Sequence, residues 1–328
     1  MATSSSSTKE AVLVTGANGF IGSWVVKTLL ENGYTDIHCS IHPSTDPSHL
    51  FSFLDPFPEA KLSIFRADLL DAAAISKAVE GCAGVFHVAS PCTLEDPKDP
   101  ELDLIQPAVQ GTLNMLRAAK EFNVRRVVVT SSISSLIPNP KWDENKVIDE
   151  TSWTDTDFCK SVQKWYSLSK TLAEIDAWKF AKENGLDMVT IHPSTVLGTM
   201  LQPGLNASSA VLLQLLQGSN NPQEHQWLGV IDVRDLAKAQ LLLFESPAAS
   251  GRYLATNGIY QFSEFALKVS QLFPDYPVYR FTELTNRGIV SCKDAAKKLI
   301  GLGLVFTPLE ETILESAQSL KAKGLLSQ

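Results

Sequence analysis

The sequence predicts an α/β fold, a doubly wound parallel sheet with a smaller carboxyl-terminal lobe, and three observations predict it. Short β-branched runs alternate with amphipathic helical patterns through residue 195. The stretches between successive runs are long enough for right-handed crossovers. A glycine-rich turn joins the first run to the first helical pattern. Strand and helix repeated in this way bury each strand between two helical layers and open a mouth at the carboxyl ends of the strands.

Residues 1–9 are polar and serine-rich, and a disordered tail is expected there. Six buried strands follow: AVLVTG (11–16), DIHCSIH (36–42), KLSIFRAD (61–68), GVFHVAS (84–90), RRVVVTSS (125–132) and DMVTIHPS (187–194). Each is a short β-branched run bounded by turn residues. Between them lie the helical patterns SWVVKTLLENG, AAAISKAVEGC, AVQGTLNMLRAAKEFN and SKTLAEIDAWKFAKENG. The last closes on Gly185, which suits a carboxyl-terminal cap. From 199 to 227 glycine, proline, asparagine and glutamine cluster and the rhythm loosens; WLGVIDVRDLAKAQLLLFE then forms one further unit.

A chain of 328 residues with 44% hydrophobic content can bury a sizeable core. The formal net charge of -8, with no basic tract, argues against nucleic acid or an anionic membrane surface as partner. No secretory leader is evident and AVLVTG is far too short to span a bilayer, so a cytoplasmic protein is expected. The five cysteines, at 39, 82, 92, 159 and 292, are odd in number and scattered without a CxxC, which reads as reduced thiols. Asn206-Ala207-Ser208 has the form of a glycosylation sequon but carries no weight without a secretory route. His38, Cys39 and His42 make a poor metal set, because along a strand Cys39 points away from the two histidines and no fourth ligand is near; no metal is expected.

VTGANGFIG (14–22) places glycines at 16, 19 and 22 between a strand and a helix. Gly16 permits a tight turn, Gly19 lets the backbone approach a pyrophosphate, and Gly22 lets helix and strand pack closely. Backbone N–H groups from Asn18 through Gly19, Phe20, Ile21 and Gly22 would face the phosphates at the helix amino terminus. The reading is a Rossmann-type dinucleotide site, on a domain of residues 10–195 with about 228–245 returning to it. Residues 196–227 and 246–328 would form the substrate-binding lobe. An NAD site would put Asp or Glu at the end of the second strand, where this chain has Ser40-Ile41-His42-Pro43-Ser44. A ribose phosphate would meet no repulsion there, and His42 with the serine hydroxyls could supply donors. NADP(H) is therefore the expected cofactor, although the arginine usual in that role is missing.

The run ending Val129-Thr130-Ser131-Ser132 brings hydroxyls to the same sheet edge as the glycine turn. KWYSLSK (164–170) follows, and four residues make one helical turn, so Tyr166 and Lys170 share a helix face. Serine, tyrosine and lysine converging beside a nicotinamide make a carbonyl-reduction site. Tyr166 would protonate the oxygen on which charge grows, Ser132 would hydrogen-bond it, and the Lys170 ammonium would favour the phenolate.

TGANGFIG, HVASP (87–91), TSS before a loop and YxxxK, in that order, resemble the extended short-chain dehydrogenase/reductase family, with the resemblance running to about residue 245. It implies that Lys170 also holds the nicotinamide ribose. It further implies that Asp68 and Leu69 contact adenine, that Val88, Ala89 and Ser90 line the adenosine side, and that Pro193, Ser194 and Thr195 meet the nicotinamide amide. A bare helix-start aspartate is the alternative for Asp68. Val230, Asp232 and Arg234 match a structural segment of the family in which Arg234 is an ion-pair partner; Trp165 stands beside the tyrosine. A monomer or homodimer is expected.

Within that family VEGCAGVFHVASP, VQGTLNMLRAAKE, RRVVVTSSIS, KWYSLSKTLAEIDAWKFAKENG and HPSTVLGTMLQPGLNAS are most similar to the plant group of cinnamoyl-CoA reductases, dihydroflavonol reductases and phenylacetaldehyde reductases. Cinnamoyl-CoA reductases carry NWYCYGK where this chain has KWYSLSK, and a His-x-x-Lys pair for coenzyme A phosphates where this chain has Val211 and Gln214. The loop LIPNPKWDENKVIDE departs from dihydroflavonol reductases. The expected activity is NADPH-dependent reduction of an aromatic or related small aldehyde or ketone, with Val211, Leu212 and Leu215 lining an apolar pocket. The alternatives are a cinnamoyl-CoA reductase using Lys164 or Arg287 for the phosphates, a dihydroflavonol-type ketone reductase, and a cofactor-sensing regulatory protein. The regulator would be expected to have lost Ser132, Tyr166 or Lys170, and all three are present.

Overall fold

The computed structural model describes residues 9–92, 97–143, 146–219, 227–281 and 295–327, and within them ten strands form two sheets. The strands are β1 (Val12–Thr15), β2 (Asp36–Ile41), β3 (Lys61–Arg66), β4 (Gly84–His87), β5 (Arg126–Thr130), β6 (Met188–Pro193), β7 (Thr195–Leu197), β8 (Trp227–Asp232), β9 (Gly251–Ala255) and β10 (Ile259–Gln261). The helices are α1 (Phe20–Glu31), α2 (Ser48–Phe51), α3 (Ala72–Val79), α4 (Gln106–Glu121), α5 (Thr156–Ser161), α6 (Trp165–Asn184), α7 (Ala207–Leu216), α8 (Val233–Glu245), α9 (Phe262–Leu272), α10 (Lys297–Gly301) and α11 (Leu309–Ala322).

The large sheet has the order β3-β2-β1-β4-β5-β6-β9 and is parallel throughout. Successive strands step outward in one direction from β1 and in the other from β4. The order therefore reverses between β1 and β4, where a doubly wound sheet opens its ligand crevice. Burial on both faces explains the continuous apolar strands. Val12 and Val14 join one core cluster with Val25, Leu29 and Phe244, while Leu13 joins the other with Val85, Val127 and Met115. Each such fully buried side chain contributes roughly 1.5–3 kcal/mol relative to exposure.

Helix α6 ends where the sequence predicts, with Gly185 at φ 60° in the left-handed region that glycine tolerates. Ala173, Ala177 and Ala181 repeat at four-residue spacing on its buried side. Small side chains there let the helix lie close to the sheet, which brings the residues one turn earlier to the exit of β5.

Two strands fall differently from the expected division. β9, in the segment assigned to the lobe, pairs in parallel with β6 and completes the large sheet. GRYLA lacks the β-branched run that marks the other strands, so its sequence gives little sign of this. β8, in the segment expected to return to the first domain, pairs with β7 and β10 in the small sheet, while α8 packs on α1 and β5. No helix among the described residues is long and apolar enough to cross a membrane.

Candidate active site

The site begins at the turn between β1 and α1. Gly16 has φ 62°, and a Cβ there would sit 3.1 Å from Ala89 Cα. A Cβ on Gly22 would lie 2.0 Å from the Gly16 carbonyl oxygen, so helix and turn pack as only glycine allows. Gly19 caps α1 from an extended conformation without a side-chain hydrogen bond, and the first turn holds no acid. The helix amino terminus is thus unopposed by protein charge.

Thr15 stitches this turn to the end of β4. Its Oγ1 accepts from the N–H groups of Val88 and Ala89, both at 3.0 Å, and lies 3.0 Å from His87 Nδ1. With two donors arriving, the Thr15 proton goes to Nδ1, and His87 donates from Nε2 to Thr112 Oγ1 at 3.2 Å. Burial, with the Lys170 charge beside it, pushes this imidazole down to about 3. Val88 and Ala89 are thereby fixed against the glycine turn, and Ser90 shares a small cavity with Lys170 and Ser131.

At the other end of the turn, Asn18 Nδ2 donates to the Asp46 carbonyl at 3.4 Å, docking the loop that leaves β2. His42 is exposed there, its Nδ1 2.7 Å from Ser44 Oγ and its Nε2 3.8 Å from Asp68 Oδ2. A carboxylate therefore does stand near His42, delivered by the end of β3. So does a cation that sequence reasoning missed. Arg66 Nη1 donates to the carbonyls of Pro43 and Thr45 at 2.8 and 3.0 Å. The signal for it was register: β2 and β3 pair in parallel with Ile41 opposite Arg66. Asp68 Oδ1 accepts from Leu70 N at 2.8 Å, and the Leu69 carbonyl accepts from Asn114 at 2.9 Å.

Ser132 follows β5 in an extended conformation and starts a short 3₁₀ turn, its Oγ accepting from Ser134 N at 3.1 Å. Tyr166 stands in the first turn of α6 with Ser132 beside its phenol, and as a residue it is 37% exposed. Desolvation of its hydroxyl end, with Cys92 nearby, pushes the phenol above the usual range, while Ser132 acts the other way. Lys170, buried one turn on, donates to the Thr130 carbonyl at 2.9 Å. Burial pushes its ammonium down to about 8, against the opposing charge of Glu174. Neither Cys92 nor Glu174 was singled out from sequence, although Glu174 continues the four-residue spacing of Tyr166 and Lys170.

Pro193 ends β6 opposite Ala255, Ser194 N donates to the Ala255 carbonyl at 3.1 Å, and Thr195 opens β7. All three lie at the carboxyl edge of the sheet. Other expectations move. Leu212 and Leu215 are buried in the main core, so of the proposed pocket wall Val211 alone keeps a partly open side chain. Hydrophobic spacing on α7 reflects core packing there. Trp165 packs with Ile105, Cys159 and Leu168 in a core cluster. Arg234 grips Asp232 in two bonds of 2.9 Å and reaches Glu315 at 3.1 Å. His38 Nδ1 lies 2.8 Å from the Ala78 carbonyl, and Cys39 is buried in the core. Arg287 and Cys292 lie outside the described residues.

Residues 12–257 match the NAD dependent epimerase/dehydratase family. The chain is 42% identical over 320 residues to cinnamoyl-CoA reductase 1 of Petunia hybrida, spanning 97% of this chain and 94% of that protein. Among solved structures, vestitone reductase from alfalfa (Medicago sativa) superposes with a TM-score of 0.83 at 33% identity, over 97% of this chain and 100% of that one. Yeast methylglyoxal/isovaleraldehyde reductase, complexed with NADPH, superposes with a TM-score of 0.81 at 28% identity, over 96% and 100% of the two chains.

Proposed function

The chain belongs to the NAD dependent epimerase/dehydratase family, and we propose that it is an NADPH-dependent carbonyl reductase converting an aromatic or related small aldehyde or ketone to its alcohol. The observation that carries this reading is the meeting of Ser132 and Tyr166 beside Lys170, at the sheet edge that also bears the glycine turn. The residues fit a dinucleotide. The turn is closed to any side chain at 22, and the uncapped start of α1 offers N–H groups to phosphate oxygens. His42 and Arg66 offer donors at the adenosine end, and Lys170 offers one to the nicotinamide ribose.

When bound, NADPH supplies the hydride. Tyr166 hands its phenolic proton to the carbonyl oxygen as that oxygen gains negative charge. Ser132 donates a hydrogen bond to the same oxygen and holds it in line with the phenol. The Lys170 ammonium, in a site with little water, favours the phenolate that remains. Val88, Ala89 and Ser90 would wall the adenosine side of a bound cofactor, and Pro193, Ser194 and Thr195 would meet its nicotinamide amide.

A second reading is reduction of a cinnamoyl-CoA-type thioester, favoured by the name of the petunia relative. The half-buried Val211 and the exposed Gln214 weigh against it, because neither compensates coenzyme A phosphates. The deciding experiment follows NADPH oxidation by purified protein against aldehydes, ketones and acyl-CoA esters. Turnover confined to free carbonyls supports the first reading, turnover confined to thioesters supports the second, and turnover of neither class removes both.

A further inference from the structure

On α6, Tyr166, Lys170 and Glu174 follow one another at four-residue spacing, so Glu174 lies one turn beyond Lys170 on the same side of the helix. Glu174 is 2% exposed, and a carboxylate so deeply buried persists only where it is paired. It is paired from two strands. His192 Nε2 of β6 approaches both carboxylate oxygens at 2.8 Å, and Arg252 Nε of β9 donates to Oε1 at 2.7 Å. His192 Nδ1 faces the Tyr253 carbonyl at 3.1 Å. Acceptors therefore stand at both ring nitrogens of His192. Burial alone would raise the Glu174 carboxyl, but His192 and Arg252 outweigh it and hold it below the usual carboxylate range.

The same carboxylate reaches the exit of β5. Ser131 Oγ and Ser135 Oγ each donate to Glu174 Oε2 at 2.6 Å. These hydroxyls flank Ser132, one immediately before it and the other three residues after. Ser132 Oγ accepts from Ser134 N and stands beside the Tyr166 phenol.

We propose that Glu174 is a positioning residue, fixing the Ser132 turn through Ser131 and Ser135 and setting the charge environment of Lys170; the role rests on the reductase reading given above. Lys170 is faced by Thr130 from β5, His87 from β4, Cys92 from the loop after β4, and Tyr166 and Glu174 from its own helix. Among these, Glu174 is the group whose negative charge favours the ammonium, since burial keeps the Cys92 thiol protonated. Without the Glu174 charge, the Arg252 guanidinium stands uncompensated and the Lys170 ammonium loses its opposite charge, so the ammonium is lost at lower pH.

The test compares the full chain with its Glu174→Gln and Ser135→Ala variants, reading turnover, NADPH affinity, and the Lys170 titration by 13C NMR of its ε-methylene. For Glu174→Gln the expected result is kcat lower by about tenfold or more, NADPH Kd within about threefold of wild type, and a Lys170 midpoint about one pH unit lower. The alkaline limb of kcat/KM moves with it. Ser135→Ala lowers kcat several-fold and leaves the Lys170 midpoint in place, because the charge remains. Wild-type kcat together with an unmoved Lys170 midpoint in Glu174→Gln overturns the proposal. Should that variant fail to fold, Ser131→Ala/Ser135→Ala decides, and a kcat within about twofold of wild type overturns the proposal. A wild-type protein inert toward every carbonyl would instead remove the reductase reading, and the Lys170 midpoint in Glu174→Gln alone would then decide the role of Glu174.

Discussion

The Lys170 ammonium of α6 donates to the Thr130 carbonyl at the end of β5, 2.9 Å away, and so ties the helix that carries Tyr166 to the strand that leads into Ser132. Both elements of the candidate site are thereby held by one charged hydrogen bond inside a nearly dry environment, where such a bond is strongest.

This tie separates two substitutions. Tyr166→Phe removes one oxygen and leaves the ring, so NADPH affinity should survive while kcat falls by roughly 10² or more, the scale of a positioned general acid. Lys170→Ala should lower both, and should also leave the Thr130 carbonyl unpaired, at a cost of about 1–3 kcal/mol in stability. Steady-state kinetics, an NADPH titration and thermal unfolding check these outcomes. A Phe variant with near-normal turnover would assign the proton to another donor.

At the adenosine end, NADPH should bind more tightly than NADH by at least the ~1.4 kcal/mol that corresponds to tenfold. Arg66→Ala should weaken NADPH selectively, since Arg66 holds the loop carbonyls of Pro43 and Thr45 and brings the cation nearest that loop. His42→Ala should act in the same direction but less, because the Asp68 carboxylate stands 3.8 Å from its ring. Equal affinities for the two cofactors in a fluorescence titration would remove this expectation.

His87 couples the site to stability. Its folded pKa of about 3 lies below the unfolded value near 6.5, so between these pH values the unfolded chain takes up a proton that the folded one refuses. Stability is therefore complete above about 6.5 and is lost as pH falls, by up to about 1.4 kcal/mol per pH unit. His49, also lowered by burial, contributes in the same window. Thermal melts from pH 7.5 to 5 should show a shallower slope for His87→Gln than for wild type, the difference isolating His87. Parallel slopes would mean that the imidazole titrates freely in the fold.

The glycine turn makes a steric prediction. A methyl at 22 would meet the Gly16 backbone oxygen at 2.0 Å, which has no flexible end to move aside, so Gly22→Ala should cost about 1–3 kcal/mol and reduce NADPH affinity at least tenfold. Gly204→Ala, which meets nothing within 4 Å, should leave both unchanged. NADPH binding at wild-type strength in Gly22→Ala would show that the turn can open without loss.

What was legible in the sequence was local. The strands β1 to β6 follow from β-branched runs, and Tyr166 with Lys170 follows from a spacing of four on one helix. What was missed depends on the sheet. Arg66 enters the β2 loop through strand register, and Glu174 draws Ser131 and Ser135 from the exit of β5, His192 from β6 and Arg252 from β9, between 18 and 78 positions away. Leu212 and Leu215 were misplaced because a buried helix face and a pocket wall carry the same apolar spacing.

Substrate choice turns on charge. A coenzyme A thioester brings several phosphate negatives to a protein of net charge -8, and α7 offers Val211 and Gln214 where a His-x-x-Lys pair would compensate them. A free aldehyde or ketone needs an apolar surface and one oxygen within reach of Ser132 and Tyr166, and the half-buried Val211 suits that need. We therefore expect kcat/KM for the best free carbonyl, phenylacetaldehyde and cinnamaldehyde being the first to try, to exceed that for cinnamoyl-CoA or feruloyl-CoA. Replacing Val211 with His and Gln214 with Lys together should raise thioester affinity and, by removing the apolar Val211 side chain, lower free-carbonyl kcat/KM. Efficient thioester reduction by the unaltered chain, with little activity on free carbonyls, would reverse the assignment. It would direct the search for phosphate partners to other cations, starting with the half-buried Lys164 at the start of α6.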